Sequence, residues 1–247
     1  MERGDIMKLY IVGIGPGEAT QMTQRAQAAL ERSALIVGYT AYVDLIRPLF
    51  PEKSFLTTSM RGEVERCRLA VEQALAGQTV SLVCSGDAGV YGMASPALEA
   101  AEAYPQLDIE VVPGVTAACS GAALLGAPLS HDFAVISLSD LLTPWPLIEK
   151  RLACAAEADF VLCLYNPSSK KRADYLRRAC AIVRRFRAAE TPAGVVREIG
   201  RAGESHALMT LEELQEYQAD MFTTVFIGNS QTKILNGRLV TPRGYRT

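Results

Sequence analysis

Short apolar runs alternate with helix-period stretches through the first half of the chain. Lys8–Gly13, Leu35–Gly38, Thr79–Cys84 and Ile109–Val112 are brief runs rich in Val, Ile and Leu, and each predicts a buried strand. Between them, Thr20–Ala34 brings Ala26, Ala29 and Leu30 to one helical face. Glu63–Ala76 does the same for Val64, Cys67, Val71, Ala74 and Leu75, with Gly77 as its stop. Ala41–Leu49 predicts a short helix ended by Pro48 and Pro51, and Thr57–Gly62 a polar loop. Further helices are predicted near Pro96–Ala103 and over Thr116–Leu125, a run of small residues. This alternation predicts a parallel sheet with helices on both faces.

The pattern pauses at Gly126-Ala127-Pro128, which places an expected boundary between one domain over residues 1–125 and another over 126–247. Beyond it, strands are predicted at Phe133–Ser137, Phe160–Tyr165, Ala193–Val196, Ser205–Thr210 and Thr223–Ile227. One helix is expected to start within Ser139–Pro146 and run to about Cys154. A second covers Asp174–Arg187, and a third follows Thr210, which with Glu213 fits a capping box. Asn236-Gly237 predicts a tight hairpin turn, so antiparallel pairing and a mixed sheet are expected here.

Composition narrows the function classes. The chain has 247 residues, 49% of them hydrophobic, and a net charge of −2. That permits a sizeable core and gives no general nucleic-acid footprint. No apolar run reaches the ~18 residues that span a bilayer. Met1–Asp5 reads as a frayed leader, and the N-terminus lacks the pattern of a signal peptide. The 6 cysteines are scattered without a C-x-x-C pair or a His/Cys cluster. Reduced thiols, a cytoplasmic location and no protein-bound metal are expected. His131 reads as a structural residue at a strand entrance, and His206 as an ordinary strand residue.

The stretch Leu82–Ser95 carries the strongest chemical signal. A strand end runs into Ser85-Gly86-Asp87-Ala88-Gly89, where two glycines permit close backbone approach and Asp87 offers an acceptor-only carboxylate. Ligands of open α/β sheets bind at such carboxyl ends, although an ordinary turn with a capping Asp has the same composition. Gly13-Ile14-Gly15-Pro16-Gly17 is G-x-G-x-G rather than the dinucleotide spacing G-x-G-x-x-G. Pro16 lacks an amide, and the second strand ends at Tyr39 rather than at an acid. A nicotinamide site is disfavoured, and a turn built for packing stays open.

Three motifs in order, Gly13–Gly17 (G-x-G-P-G), Ser85–Asp87 (S-G-D) and Pro113–Ala117 (P-G-V-T-A), with Ile227-Gly228-Asn229 near the end, resemble those of the tetrapyrrole (corrin/porphyrin) methylase family over essentially the whole chain. Ala88 departs from the family, which usually has Pro there. Val37–Tyr39, Ser85–Met93, Leu125–Phe133, Ile136–Trp145, Tyr165–Ser169 and Pro242–Tyr245 are similar to the branch that methylates a cobalamin precursor at C(17), with ring contraction. The resemblance implies a two-domain α/β architecture, a mainly parallel N-terminal sheet, a mixed C-terminal one and S-adenosylmethionine between the domains. It also implies a homodimer.

Carried over position by position, the resemblance places Pro16, Ser85, Gly86, Asp87, Val90, Thr116, Ala117, Asn166 and Ile199 at S-adenosylmethionine. Asn166 stands where relatives have Met. Methyl transfer from a sulfonium needs proximity and a shielded site more than a reactive side chain. An acidic macrocycle needs basic and polar groups, for which Tyr39, Arg61, Lys170, Lys171 and Arg172 are the candidates. Residues 177–187 read as a solvated basic helix face instead. Asp140 is the candidate acid/base for ring contraction, with a helix N-cap as the competing role. A cobalt-containing acceptor, and a non-catalytic module binding a corrin or an adenosyl cofactor, stay open as alternatives.

Overall fold

Lys8–Gly13 forms the first strand, β1, and its alternation sends Leu9 and Ile11 to one side and Tyr10 and Val12 to the other. In the computed structural model, which describes residues 7–169 and 172–245, the chain then runs through helix α1 (Gln24–Arg32), β2 (Leu35–Tyr39), α2 (Thr40–Ile46), β3 (Ser54–Thr58), α3 (Glu63–Leu75), β4 (Val80–Cys84), α4 (Ala94–Ala100) and β5 (Asp108–Val112). Met1–Asp5 and the candidates Lys170 and Lys171 lie outside the described residues.

These strands form one sheet in the order β3-β2-β4-β1-β5, every neighbour parallel. Helices α1 and α2 cover one face through Ala26, Ala29, Leu30, Val43 and Ile46. Helices α3 and α4 cover the other through Cys67, Ala70, Val71, Ala74, Ala94 and Ala97. From β1 the chain crosses to β2 on one side, and from β4 it crosses to β5 on the other. The winding therefore reverses between β1 and β4, where an open parallel sheet has its binding crevice.

Three local expectations are corrected. Thr57 and Thr58 are not loop but the end of β3, an edge strand whose Ser54 and Thr57 face solvent. Val64 is exposed, and Arg66 is buried on α3 instead. Helix α1 starts at Gln24, four residues later than the periodicity suggested, because the Thr23 hydroxyl accepts from the Ala26 amide at 3.1 Å and caps it there.

The chain divides into two compact units, Met1–Thr116 and Ala117–Thr247. The second opens on α5 (Ala117–Leu125), so the division falls before this helix rather than after it. The reason is packing: α5 lies on β9 (Pro192–Arg197), β10 (Ser205–Thr210) and β11 (Thr223–Ile227), and a Cβ on Gly121 would already sit 3.1 Å from Ile199 and Phe226. The small residues of this helix serve close approach. The other elements of the unit are β6 (Gly126–Ala127), β7 (Phe133–Ser137), α6 (Trp145–Glu157), β8 (Val161–Tyr165), α7 (Tyr175–Val183), α8 (Leu211–Glu216), β12 (Lys233–Leu235) and β13 (Arg238–Val240).

The main sheet of this unit has the order β10-β9-β11-β8-β7. Only β7 and β8 pair in parallel, so it is mixed as expected. A smaller sheet, β12-β13-β6, contains the predicted hairpin, with Asn236 and Gly237 both at positive φ. Thr210 and Glu213 form the predicted capping box on α8. Thr210→Ala is expected to cost about 1 kcal/mol in urea unfolding. Helix α6 starts at Trp145, inside the predicted Ser139–Pro146 stretch and with Pro146 in its first turn, and runs on to Glu157 rather than to about Cys154. Among the described residues no helix is long and apolar enough to cross a membrane.

Candidate functional site

Three turns meet at the reversal between β1 and β4. The Gly15 amide donates to the Gly86 carbonyl at 3.1 Å, and the Gly86 amide donates back to the Gly15 carbonyl at 2.7 Å. The G-x-G-P-G and S-G-D motifs are thus one bridged structure. The third turn, Pro113-Gly114, closes on it. A Cβ on Gly13 would lie 2.6 Å from the Gly86 oxygen and 2.8 Å from both the Ala88 and Gly114 nitrogens. Glycine stands there because backbone occupies the side-chain space.

Asp87 locks the arrangement. Its Oδ1 accepts from the Gly89 amide at 2.7 Å and the Val90 amide at 3.2 Å, and its Oδ2 accepts from the Gly114 amide at 2.9 Å. A carboxylate offers about four acceptor sites. Three are spent on backbone, which leaves one for a donor on a ligand. The Ser85 hydroxyl, half-buried beside it, has no hydrogen-bond partner among the described residues. Burial pushes the neighbouring Cys84 thiol up to about 11, so it is not a thiolate nucleophile at neutral pH.

In the first unit, then, Pro16, Ser85, Gly86, Asp87 and Val90 are gathered around these turns, and Thr116 directly precedes α5. Ala117, Asn166 and Ile199 belong to the second unit. Ile199 is buried in the core that α5 covers. Asn166 is exposed, holds a positive φ of 52°, and donates through Nδ2 to the Ser137 hydroxyl at 3.0 Å. The Ile227–Asn229 motif is a structural turn: Asn229 is buried and its Oδ1 accepts from the Gln231 amide and the Thr232 hydroxyl.

Two segments of the second unit singled out in the sequence, Ile136–Trp145 and Tyr165–Ser169, come together around Arg172. Its guanidinium donates to the Ser139 hydroxyl at 2.6 Å, to the Ser169 hydroxyl at 3.0 Å and to Asp140 at 3.4 Å. The Tyr175 hydroxyl donates to Asp140 Oδ2 at 2.6 Å. Tyr175, first, and Arg172 hold the Asp140 carboxyl below the usual carboxylate range. Asp140 is therefore ionised at neutral pH and has no proton to give. It is no N-cap either, since α6 begins at Trp145. This geometry speaks against Asp140 as an acid and makes it the anchor of Tyr175 and Arg172.

The sign of the pH effect follows. A carboxyl with a lowered folded-state pKa stabilises the fold above its unfolded value and loses that contribution as pH falls through the lowered one. Tyr175→Phe is expected to move the Asp140 titration upward, towards the ordinary carboxylate value, in a carbon-13 NMR titration.

The family pattern of the tetrapyrrole (corrin/porphyrin) methylases matches residues 8–215. The chain belongs to this family. This tetrapyrrole methylase is 47% identical over 239 residues to the probable cobalt-factor III C(17)-methyltransferase of Salmonella typhimurium, covering 96% of this chain and 99% of that one. It is 41% identical over 246 residues to the precorrin-3B C(17)-methyltransferase of a Sinorhizobium species, covering 96% of each chain. The crystal structure of the methyltransferase CobJ resembles it with a TM-score of 0.88 at 37% identity, covering 95% of this chain and 99% of that one. The family and the α/β class expected from the three motifs are those found.

Sequence reading passed over several residues of this methylase. Tyr91 and Glu198 adopt positive φ, 53° and 51°, just beyond strands β4 and β9. Non-glycine residues held there store strain, which collects at functional loops. Tyr175 stood between the candidate Arg172 and the basic face of residues 177–187 and was given no role. Arg66 carried no signal at all, because an Arg on a helix is ordinarily a surface residue.

Proposed function

We propose that the chain transfers a methyl group from S-adenosylmethionine to C(17) of a cobalamin-pathway tetrapyrrole, with cobalt-factor III as the first acceptor to test. The end-to-end 47% identity to a protein of that name carries this reading. Precorrin-3B is the second acceptor, favoured by the 41% identical relative.

S-adenosylmethionine, the methyl donor of the family, supplies a methyl already activated by its sulfonium. The chain's own residues then have three tasks. Asp87 keeps the turn after β4 in one geometry and turns its last acceptor site and its charge towards the donor's ammonium. Ser85 adds a hydroxyl that has no partner among the described residues. Gly86 and Gly89 keep side chains out of the way, and at Gly89 a Cβ would meet only Asp87, at 3.3 Å. Positioning of this kind is where rate enhancement in methyl transfer arises.

Cobalt, if present, arrives with the macrocycle. A homodimer is part of the same proposal and rests on the family resemblance; light scattering on the purified chain tests it. The functional test supplies labelled S-adenosylmethionine with cobalt-factor III and, separately, precorrin-3B. Label in the first product is expected, and the absorption spectrum of that product reads ring contraction. Label in neither would leave a binding module and reject the enzyme.

A further inference from the structure

Among the described residues, Arg66 is the exception among the buried cations. It is 4% exposed on the first turn of α3. Its Nε donates to the Thr58 hydroxyl at 2.8 Å and its Nη2 to the Ser59 carbonyl at 3.1 Å. Its Nη1 faces the Met93 sulfur at 3.7 Å. The Tyr39 ring lies 5.9 Å from the guanidinium carbon. Every one of these partners is neutral, and a thioether is a weak acceptor.

The other deeply placed cations do not behave this way. Arg187 is paired with Asp159, Arg172 with Asp140, and Lys8 with Asp108 and Glu110. No Asp or Glu pairs with Arg66 among the described residues. Removing a guanidinium from water is costly unless an anion compensates it. A fork with five donors, of which the protein engages three, has capacity for one more planar acceptor pair.

Its place in the fold says what that acceptor serves. Tyr39 ends β2, Thr58 ends β3 and Met93 follows the turn after β4, so Arg66 lies at the carboxyl edge of the parallel sheet, the edge that carries the three bridged turns. Two residues that the sequence marked for an acidic macrocycle flank it. Tyr39 supplies the ring, and Arg61 stands in the 59–62 turn that accepts from Arg66, with a positive φ of 69°. Ser59, Met60 and Arg61 of that turn are exposed, so the guanidinium lies one turn of chain from solvent.

We infer that Arg66 binds a peripheral carboxylate of the substrate macrocycle, which supplies in the complex the counter-ion that no described residue provides. This rests on the reading of the acceptor as a carboxylate-bearing tetrapyrrole. Arg66 is a recognition residue, distinct from the Asp87 turn that serves the donor. Its loss is felt in macrocycle affinity and not in donor affinity.

The test measures equilibrium binding of cobalt-factor III and of S-adenosylhomocysteine to the native chain, R66Q and R66K, from low to high salt. R66Q is expected to weaken macrocycle binding roughly ten- to a hundredfold, as loss of a charge-assisted pair does. It should leave S-adenosylhomocysteine within about twofold and flatten the salt dependence of the macrocycle. R66K keeps the charge without the fork and should fall between. Unaltered macrocycle affinity in R66Q overturns the inference, as does parallel loss of both ligands with a lowered melting temperature, which marks a purely structural Arg. If R66Q does not fold, R66K and the native salt titration decide by the same criteria. A native chain that binds S-adenosylhomocysteine but not the macrocycle rejects the proposed function itself, and with it this inference, before any variant is compared.

Discussion

Asp87→Asn weakens S-adenosylhomocysteine binding by roughly thirty- to a hundredfold, the effect of about 2–3 kcal/mol. The reason is bookkeeping of donors. Asp87 accepts three amide hydrogens with two oxygens. Asparagine has one oxygen and one NH2 group, so in either orientation a donor faces a backbone donor. If the oxygen keeps Gly89 and Val90, the NH2 group opposes the Gly114 amide, and the Pro113-Gly114 turn loses its tie to the S-G-D loop. The charge that would face the donor's ammonium goes as well. Calorimetry reads the affinity, and urea unfolding should show a smaller loss of about 1–2 kcal/mol, since the site is half-buried. Native-like affinity in a folded Asp87→Asn protein would remove Asp87 from the donor site.

Gly114→Ala is expected to be the most destabilising single methyl in the first unit, costing about 3 kcal/mol. The φ at Gly114 is ordinary, so the cost is not conformational. A Cβ there would fall against the Gly86 carbonyl oxygen and 2.6 Å from the Gly13 carbonyl carbon. Both obstacles are backbone, and neither can rotate aside as a side chain would. Gly89→Ala is the matched control, because its Cβ meets only the Asp87 carboxylate at 3.3 Å. Urea unfolding of the two variants should separate them clearly. Equal stability would mean that the three turns are not in contact.

Much of the scaffold is legible from residue order. The strands Lys8–Gly13, Phe133–Ser137, Ser205–Thr210 and Thr223–Ile227 appear with the predicted bounds; the first and last of these are buried, and strands buried in an α/β sheet are short continuous apolar runs. The Thr210–Glu213 box and the Asn236-Gly237 turn were equally readable, since each is local chemistry among residues a few positions apart. The edge strand Ser54–Thr58 was not, because half its surface is solvated and its composition is that of a loop.

For the candidate site, sequence alone determined the family motifs, the glycines at the turns and the presence of an acid at position 87. These are properties of short segments, and periodicity or turn chemistry expresses them directly. Only tertiary structure decided their roles. Asp87 turned from a free ligand group into the clasp between its own turn and the Pro113-Gly114 turn because Gly114 arrives from 27 positions away. Asp140, the candidate acid/base, became an anchored anion because Tyr175 and Arg172 fold onto it. Arg66 became conspicuous because, among the described residues, no Asp or Glu pairs with it. A side chain's protonation, free valences and missing partners depend on what long-range packing brings within about 4 Å, where charges act most strongly, and no local pattern in a chain records that.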